Sequence, residues 1–146
     1  MKEKFYPLEA SEDYLRFWFE SKSQGHAIAK SIEFVMIGID TYNLAFGDMD
    51  EKGDLDDLVV SNNGDMPKVI ATVVQAIIVF SRVYPNSRIY FTGSSPARTR
   101  LYRAVLDREI DSWSALFDIQ GVVKGKPYPF ERCVAYEGFL INRKKE

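Results

Sequence analysis

The chain has almost no thiol and almost no imidazole: of its 146 residues one is cysteine, Cys133, and one is histidine, His26. A lone cysteine excludes an internal disulfide and suits a reducing, cytoplasmic compartment; Cys133 reads as a small, half-buried strand residue. A lone histidine excludes a multi-histidine metal site, and any Ser-His-Asp or Cys-His nucleophilic system would have to use His26. Net charge is also scarce. A formal value of -2 excludes a surface built as a whole to attract nucleic acid or anionic lipid, so any basic site must be local. Long apolar runs are missing too. The longest, Val69 to Phe80, is broken by Thr72 and Gln75 and falls short of the ~20 residues that span a bilayer. The start, Met-Lys-Glu-Lys-Phe-Tyr-Pro, lacks the apolar stretch of a signal peptide, so no membrane or export role is expected.

What is present is core material. Hydrophobic residues make up 46%, aromatics 14% and charged residues 27%, which is enough to bury one real core in a chain of this size. A single domain over residues 1–146 is expected. Aromatic-rich residues 13–20 read as a strand, a polar turn follows at 21–25, and further strands are expected at 27–39, 41–48 and 55–61. The period then changes. Val69, Ile70, Val73, Val74, Ile77, Ile78 and Phe80 recur at helical spacing between Asp65-Met66-Pro67 and Tyr84-Pro85, giving a deep helix with only Lys68, Gln75 and Arg82 reaching water. A strand at 88–92 leads into a second helix that starts at Ser95-Pro96 and runs to about Glu109. Strands at 117–124 and 133–142 close the chain. The expected fold is therefore α+β: a largely antiparallel, twisted sheet of six to eight strands with two main helices, the first packed on the sheet.

The turn Thr92-Gly93-Ser94-Ser95 ahead of the second helix has the parts of an anion site, namely a glycine, three hydroxyls and the free N–H groups of a helix start. Arginine placement strengthens that reading. A helix dipole disfavours cations in the first turn by ~0.3–1 kcal/mol each, yet Arg98, Arg100 and Arg103 stand here with no acid before Asp107. Projected at ~100° per residue, Ala97, Leu101, Tyr102, Ala104, Val105 and Leu106 form an apolar arc and Arg100, Arg103 and Asp107 a solvated face. Arg98 falls within the apolar arc. A guanidinium there needs an anionic partner, either internal, from Asp48, Asp56, Asp57 or Asp65, or a phosphate or carboxylate ligand.

Two other stretches carry polar groups. Asn62 and Asn63, between a strand and the first helix, can bind a ligand through their amides or serve as a cap. The acidic run from Asp48 to Asp57 resembles a calcium loop only in composition, because Lys52 occupies the fifth ligand position and Val59 the twelfth, where a bidentate glutamate is required. It reads as a charged turn, and neither a metal nor a cofactor is called for.

Three phrases, 42–48 (Tyr-Asn-Leu-Ala-Phe-Gly-Asp), 57–65 (Asp-Leu-Val-Val-Ser-Asn-Asn-Gly-Asp) and 92–103 (Thr-Gly-Ser-Ser-Pro-Ala-Arg-Thr-Arg-Leu-Tyr-Arg), resemble an uncharacterised family of small bacterial proteins found chiefly in the Bacteroidetes. That resemblance implies a bacterial cytoplasmic protein and brings no activity with it. A second, topological resemblance is to Gcn5-related acetyltransferases, whose helix after the fifth strand carries a pattern like Ala97 to Tyr102. Their pyrophosphate loop would fall at 62–67, where Asp65 repels a pyrophosphate and Pro67 lacks an N–H. The leading expectation is a non-catalytic binding or interaction protein that receives an anionic small molecule, a nucleic acid or an acidic protein segment at residues 92–103. The alternatives are an acyltransferase-like enzyme and one component of a toxin–antitoxin-type two-gene system. Exposed Tyr and Trp would suit a homo-oligomer face.

Overall fold

The computed structural model describes residues 5–23, 25–56, 64–92 and 96–144, with the side chains of 56, 66, 96–98, 101, 105, 109 and 112 outside that description. Its elements are β1 (Glu9–Ala10), β2 (Arg16–Ser23), β3 (His26–Gly38), β4 (Thr41–Met49), β5 (Leu55–Asp56), α1 (Met66–Val83), β6 (Arg88–Phe91), α2 (Pro96–Trp113), β7 (Phe117–Val123), β8 (Lys126–Pro129) and β9 (Gly138–Arg143). Among the described residues eight strands lie on the hydrogen-bonded path, mostly antiparallel, with β5 beside β4. The α+β class and strand number are those expected. Contacts divide the chain into two compact units, one taking in residues 2–35 and 45–84, the other 36–44 and 85–146.

In the unit of residues 2–35 and 45–84, strand alternation builds the core. Phe17, Phe19 and Ser21 of β2 stand opposite Ile32, Lys30 and Ile28 of β3, and all three β2 residues are buried. Phe34 stacks on Phe80 of α1 with ring centroids 4.0 Å apart and meets Phe17 edge-on at 5.8 Å. Asp65 at the N-cap of α1 makes no side-chain cap bond, a loss of about 1 kcal/mol. Burial outweighs it: Val69, Ile70, Val73, Val74, Ile77 and Phe80 are all within 6% of full burial, at ~1.5–3 kcal/mol each. Lys68 and Gln75 are half-buried and Arg82 is exposed, but they are not alone in reaching water, because Ile78 and Val79 are half-buried and Val83 at the last turn is exposed.

In the other unit, β4 pairs in parallel with β6, β6 antiparallel with β9, β9 with β7, and β7 with β8. Rings fill its core: Phe91 lies 4.8 Å from Tyr102 of α2 and 5.9 Å from Phe139. Two glycines are fixed by close approach. A Cβ on Gly121 would sit 2.2 Å from the Tyr136 ring, and one on Gly138 would sit 2.6 Å from the Tyr90 hydroxyl.

Several boundaries differ from expectation. The turn expected at 21–25 is shorter, because β2 continues to Ser23, and Ser21 is fully buried with its hydroxyl donating to Asp65 Oδ2 at 2.6 Å. Only 55–56 of the strand expected at 55–61 is described. Strand β9 starts at Gly138 rather than at 133. Cys133 sits instead in a turn, exposed, with φ 64 and its N–H on Asp107 Oδ1 at 3.3 Å. Strand β8 escapes a propensity reading because it contains Pro127 and Pro129. Both are accommodated since β8 pairs with β7 alone among the described residues and the alternation from the Val123↔Lys126 closing pair points both proline nitrogens to the free edge.

Candidate functional site

At the start of α2 the structure ties up much of what the sequence offers. The Thr92 hydroxyl donates to the Glu137 carbonyl at 2.7 Å and lies 3.3 Å from the Thr99 hydroxyl, which is itself buried. The Arg103 guanidinium donates to the Val134 carbonyl at 3.5 Å. Arg100 is exposed, and no acid stands in the first turn. Gly93, Ser94 and Ser95 lie outside the described residues, as does the Arg98 side chain. The buried stripe of α2 runs through Thr99, Tyr102, Leu106 and Trp113, while Ala104 is exposed. Of the expected apolar arc, Tyr102 and Leu106 are buried, Ala104 is exposed, and the side chains of Ala97, Leu101 and Val105 lie outside the described residues. The Tyr102 ring on Phe91 and the Thr99 hydroxyl by Thr92 set the facing of the helix, since an alanine has one methyl to bury.

Other sequence candidates resolve into local structure. Asn62, Asn63 and Asp57 lie outside the described residues. Asp50 Oδ1 accepts the N–H groups of Lys52 and Asp54 at 2.9 Å each, so the acidic run is a self-bonded turn closed at Gly53, φ 84. Asp48 accepts from Lys30 Nζ at 2.6 Å, with Lys30 only 1% exposed.

A concavity lies elsewhere, in the unit of residues 2–35 and 45–84. A groove of about 500 Å³ runs beside β2, walled by the aromatic residues Tyr6, Trp18 and Phe19, the apolar Pro7, Ala29 and Met49, and the charged Glu9, Glu20, Lys22 and Lys68. Alternation explains how a strand with a buried face contributes to it. While Phe17, Phe19 and Ser21 are buried, Arg16, Trp18, Glu20 and Lys22 occupy the opposite, more exposed positions.

Tyr6 anchors the groove. Its ring is 5% exposed, stacks on Phe19 at 5.8 Å and 18°, and carries Lys68 Nζ 4.2 Å from its centroid. The Tyr6 N–H donates to Thr72 Oγ1 at 2.9 Å, pinning the segment to α1. The phenol hydrogen serves Asp65 Oδ2 and the Lys22 carbonyl (3.0 Å), while the phenol oxygen accepts the Lys22 N–H at 3.1 Å. Burial first, then the bond to Asp65 and its negative charge, raise the Tyr6 pKa above 10.0, so the phenol is neutral at physiological pH. At the other end Trp18 Nε1 donates to Glu9 Oε2 at 2.5 Å, and the Arg16 guanidinium lies 5.9 Å from the indole centroid. Lys22 and Lys68 have no carboxylate partner within 4.0 Å among the described residues.

The groove offers flat apolar walls, two cations and a neutral phenol. None of the groove residues was singled out by the sequence reading, although a signal exists. A tryptophan between Arg16 and Glu20 stands on the polar side of a strand whose alternate residues are Phe17 and Phe19. A half-exposed indole in that position is a surface feature that burial alone does not account for. Compared with known proteins, residues 2–144 match a family of unknown function, DUF6934. No curated protein and no solved structure matches the chain.

Proposed function

The chain belongs to the DUF6934 family of unknown function, and from that premise we propose that it is a cytoplasmic binding protein whose groove beside β2 takes a small anionic ligand with a flat or apolar body. One observation carries the reading: three aromatic residues and two lysines without carboxylate partners among the described residues share a single groove of about 500 Å³, a volume within the ~300–1,000 Å³ of small-molecule sites. Glu9 and Glu20 balance the charge of the lining, and Glu9 is engaged by Trp18. Such a lining favours a compact ligand with its anion at the lysines over a polyanion. The exposed Cys133, with no second cysteine in the chain, supports the reducing compartment. Among the described residues no helix is long and apolar enough to cross a membrane.

A thermal-shift screen of wild type, Lys22→Ala and Lys68→Ala against phosphorylated and carboxylated small molecules tests this. The expected result is a ligand-dependent rise in Tm for wild type that shrinks in both variants, whose unliganded Tm values stay close to wild type. A rise of equal size in all three proteins would refute the groove as the site.

A second reading keeps the anion at the start of α2, on Arg98, Arg100 and Arg103 with Gly93, Ser94 and Ser95. Its support is the exposed Arg100 on a first turn without an acid. Loss of the shift in Arg100→Ala and not in the lysine variants would select it.

A further inference from the structure

The groove has a second chemical feature, in the main chain of β2. Register fixes which of its backbone groups face outward. Ser23 pairs with His26 across a two-residue connection, so 23, 21, 19 and 17 exchange hydrogen bonds with β3, and 22, 20, 18 and 16 turn their N–H and C=O to the opposite edge. Three of these four positions are closed by the chain itself. The Arg16 N–H donates to Ser11 Oγ and its carbonyl accepts from the Ser11 N–H. Trp18 pairs with Glu9 of β1. The N–H and C=O of Lys22 are both taken by the Tyr6 hydroxyl.

Glu20 is the exception. Continuing the β1 register of Glu9↔Trp18 and Ala10↔Phe17 would place Pro7 opposite Glu20, and proline has no N–H to give. Among the described residues nothing bonds the outward N–H and C=O of Glu20, and Glu20 and Pro7 both line the groove. Glu20 therefore presents one donor and one acceptor side by side on the strand edge at a residue that lines the groove.

The slot is short. Trp18 and Lys22, closed on either side, are four residues apart, ~13 Å at the rise of a strand. An extended peptide needs several consecutive free positions to add as a strand, and Glu9 and Tyr6 block both directions. A single planar group with an adjacent acceptor and donor fits instead. We propose that the ligand of the groove is a nucleotide, its base read by the Glu20 main-chain N–H and C=O beside Trp18, its phosphate met by Lys22 and Lys68. Every nucleobase carries a neighbouring donor and acceptor on one edge, indole walls suit a flat ring, and the two lysines supply the charge that a phosphate requires. This assignment rests on the groove being the binding site and adds the class of ligand.

Isothermal titration of the full chain with AMP, GMP, CMP, UMP, ribose 5-phosphate and inorganic phosphate tests it. At least one nucleotide is expected to bind tenfold or more tightly than ribose 5-phosphate. Glu20→Pro removes the outward N–H together with the side chain while taking no bond from the β2–β3 ladder, and should bring that nucleotide to the affinity of ribose 5-phosphate, whereas Glu20→Ala, which loses the side chain alone, stays within twofold of wild type. Lys22→Ala should weaken nucleotide and ribose 5-phosphate alike. Equal affinity for all four nucleotides and ribose 5-phosphate overturns the base assignment while leaving an anion groove. Absence of binding by all six probes overturns the nucleotide assignment, and the wider anion screen then decides separately whether the groove binds at all. If Glu20→Pro does not fold, the wild-type comparison of nucleotides with ribose 5-phosphate decides alone.

Discussion

A lysine 1% exposed, with its ammonium 2.6 Å from a carboxylate, is the most demanding single group among the described residues. The pair Lys30–Asp48 survives because each charge has the other, and removing one partner leaves the second uncompensated. Lys30→Met should cost ~3–5 kcal/mol, and Lys30→Met with Asp48→Leu should recover most of it; urea unfolding of the three proteins measures both. Tyr6 gives a pH test. Its folded pKa is raised above the unfolded value of ~10, so the stability it contributes is complete below pH 10 and is lost as pH rises through the folded pKa. The stability gap between wild type and Tyr6→Phe should therefore narrow in titrations above pH 10. A constant gap from pH 8 upward would contradict the neutral, Asp65-bonded phenol. Little of this was legible from residue types. Lys30 shares a strand face with Ile28 and Ile32, so alternation marks a charge on an apolar face, but only the folded chain reveals Asp48 as its partner. Asp65 reads as a helix cap, yet its carboxylate is drawn to Tyr6, 59 residues earlier in the chain.

Elements were legible where one physical signal dominated. In α1 the apolar period of 3.6 fixes both existence and facing, because burial of six large side chains outweighs a missing cap. In α2 the signal is mixed, with alanines and arginines interleaved, and the true face follows from a tyrosine on Phe91. Strand β8 was hidden by its prolines, and β1, two residues long, exists through its pairing with β2. Glycine positions carry information that no periodicity shows. Gly121→Ala and Gly138→Ala should each destabilise by at least ~1–3 kcal/mol, the usual cost of overpacking, because the Tyr136 ring lies 2.2 Å and the Tyr90 hydroxyl 2.6 Å from the added carbon. Chemical denaturation checks this. A neutral Gly121→Ala would show that Tyr136 is free to move aside.

For the molecule as a whole, composition settled the class and the local nature of any basic site, and it could not settle the place. Each compact unit gathers separate stretches of chain, 2–35 with 45–84 and 36–44 with 85–146, so side chains that meet in the groove, from Tyr6 to Lys68, are spread over much of the sequence. The start of α2 stood out because its arginines are adjacent; the groove did not because Lys22 and Lys68 come together only through Tyr6. The two tryptophans allow a direct test, since Trp18 lines the groove and Trp113 is buried in the other unit. In Trp113→Phe the remaining indole reports on the groove alone. Titrating that variant with the nucleoside monophosphates should produce a saturable change in Trp18 fluorescence that disappears when Lys22 and Lys68 are both replaced by alanine. Saturable calorimetric binding with no change in Trp18 fluorescence would place the ligand elsewhere and contradict the groove as the functional site.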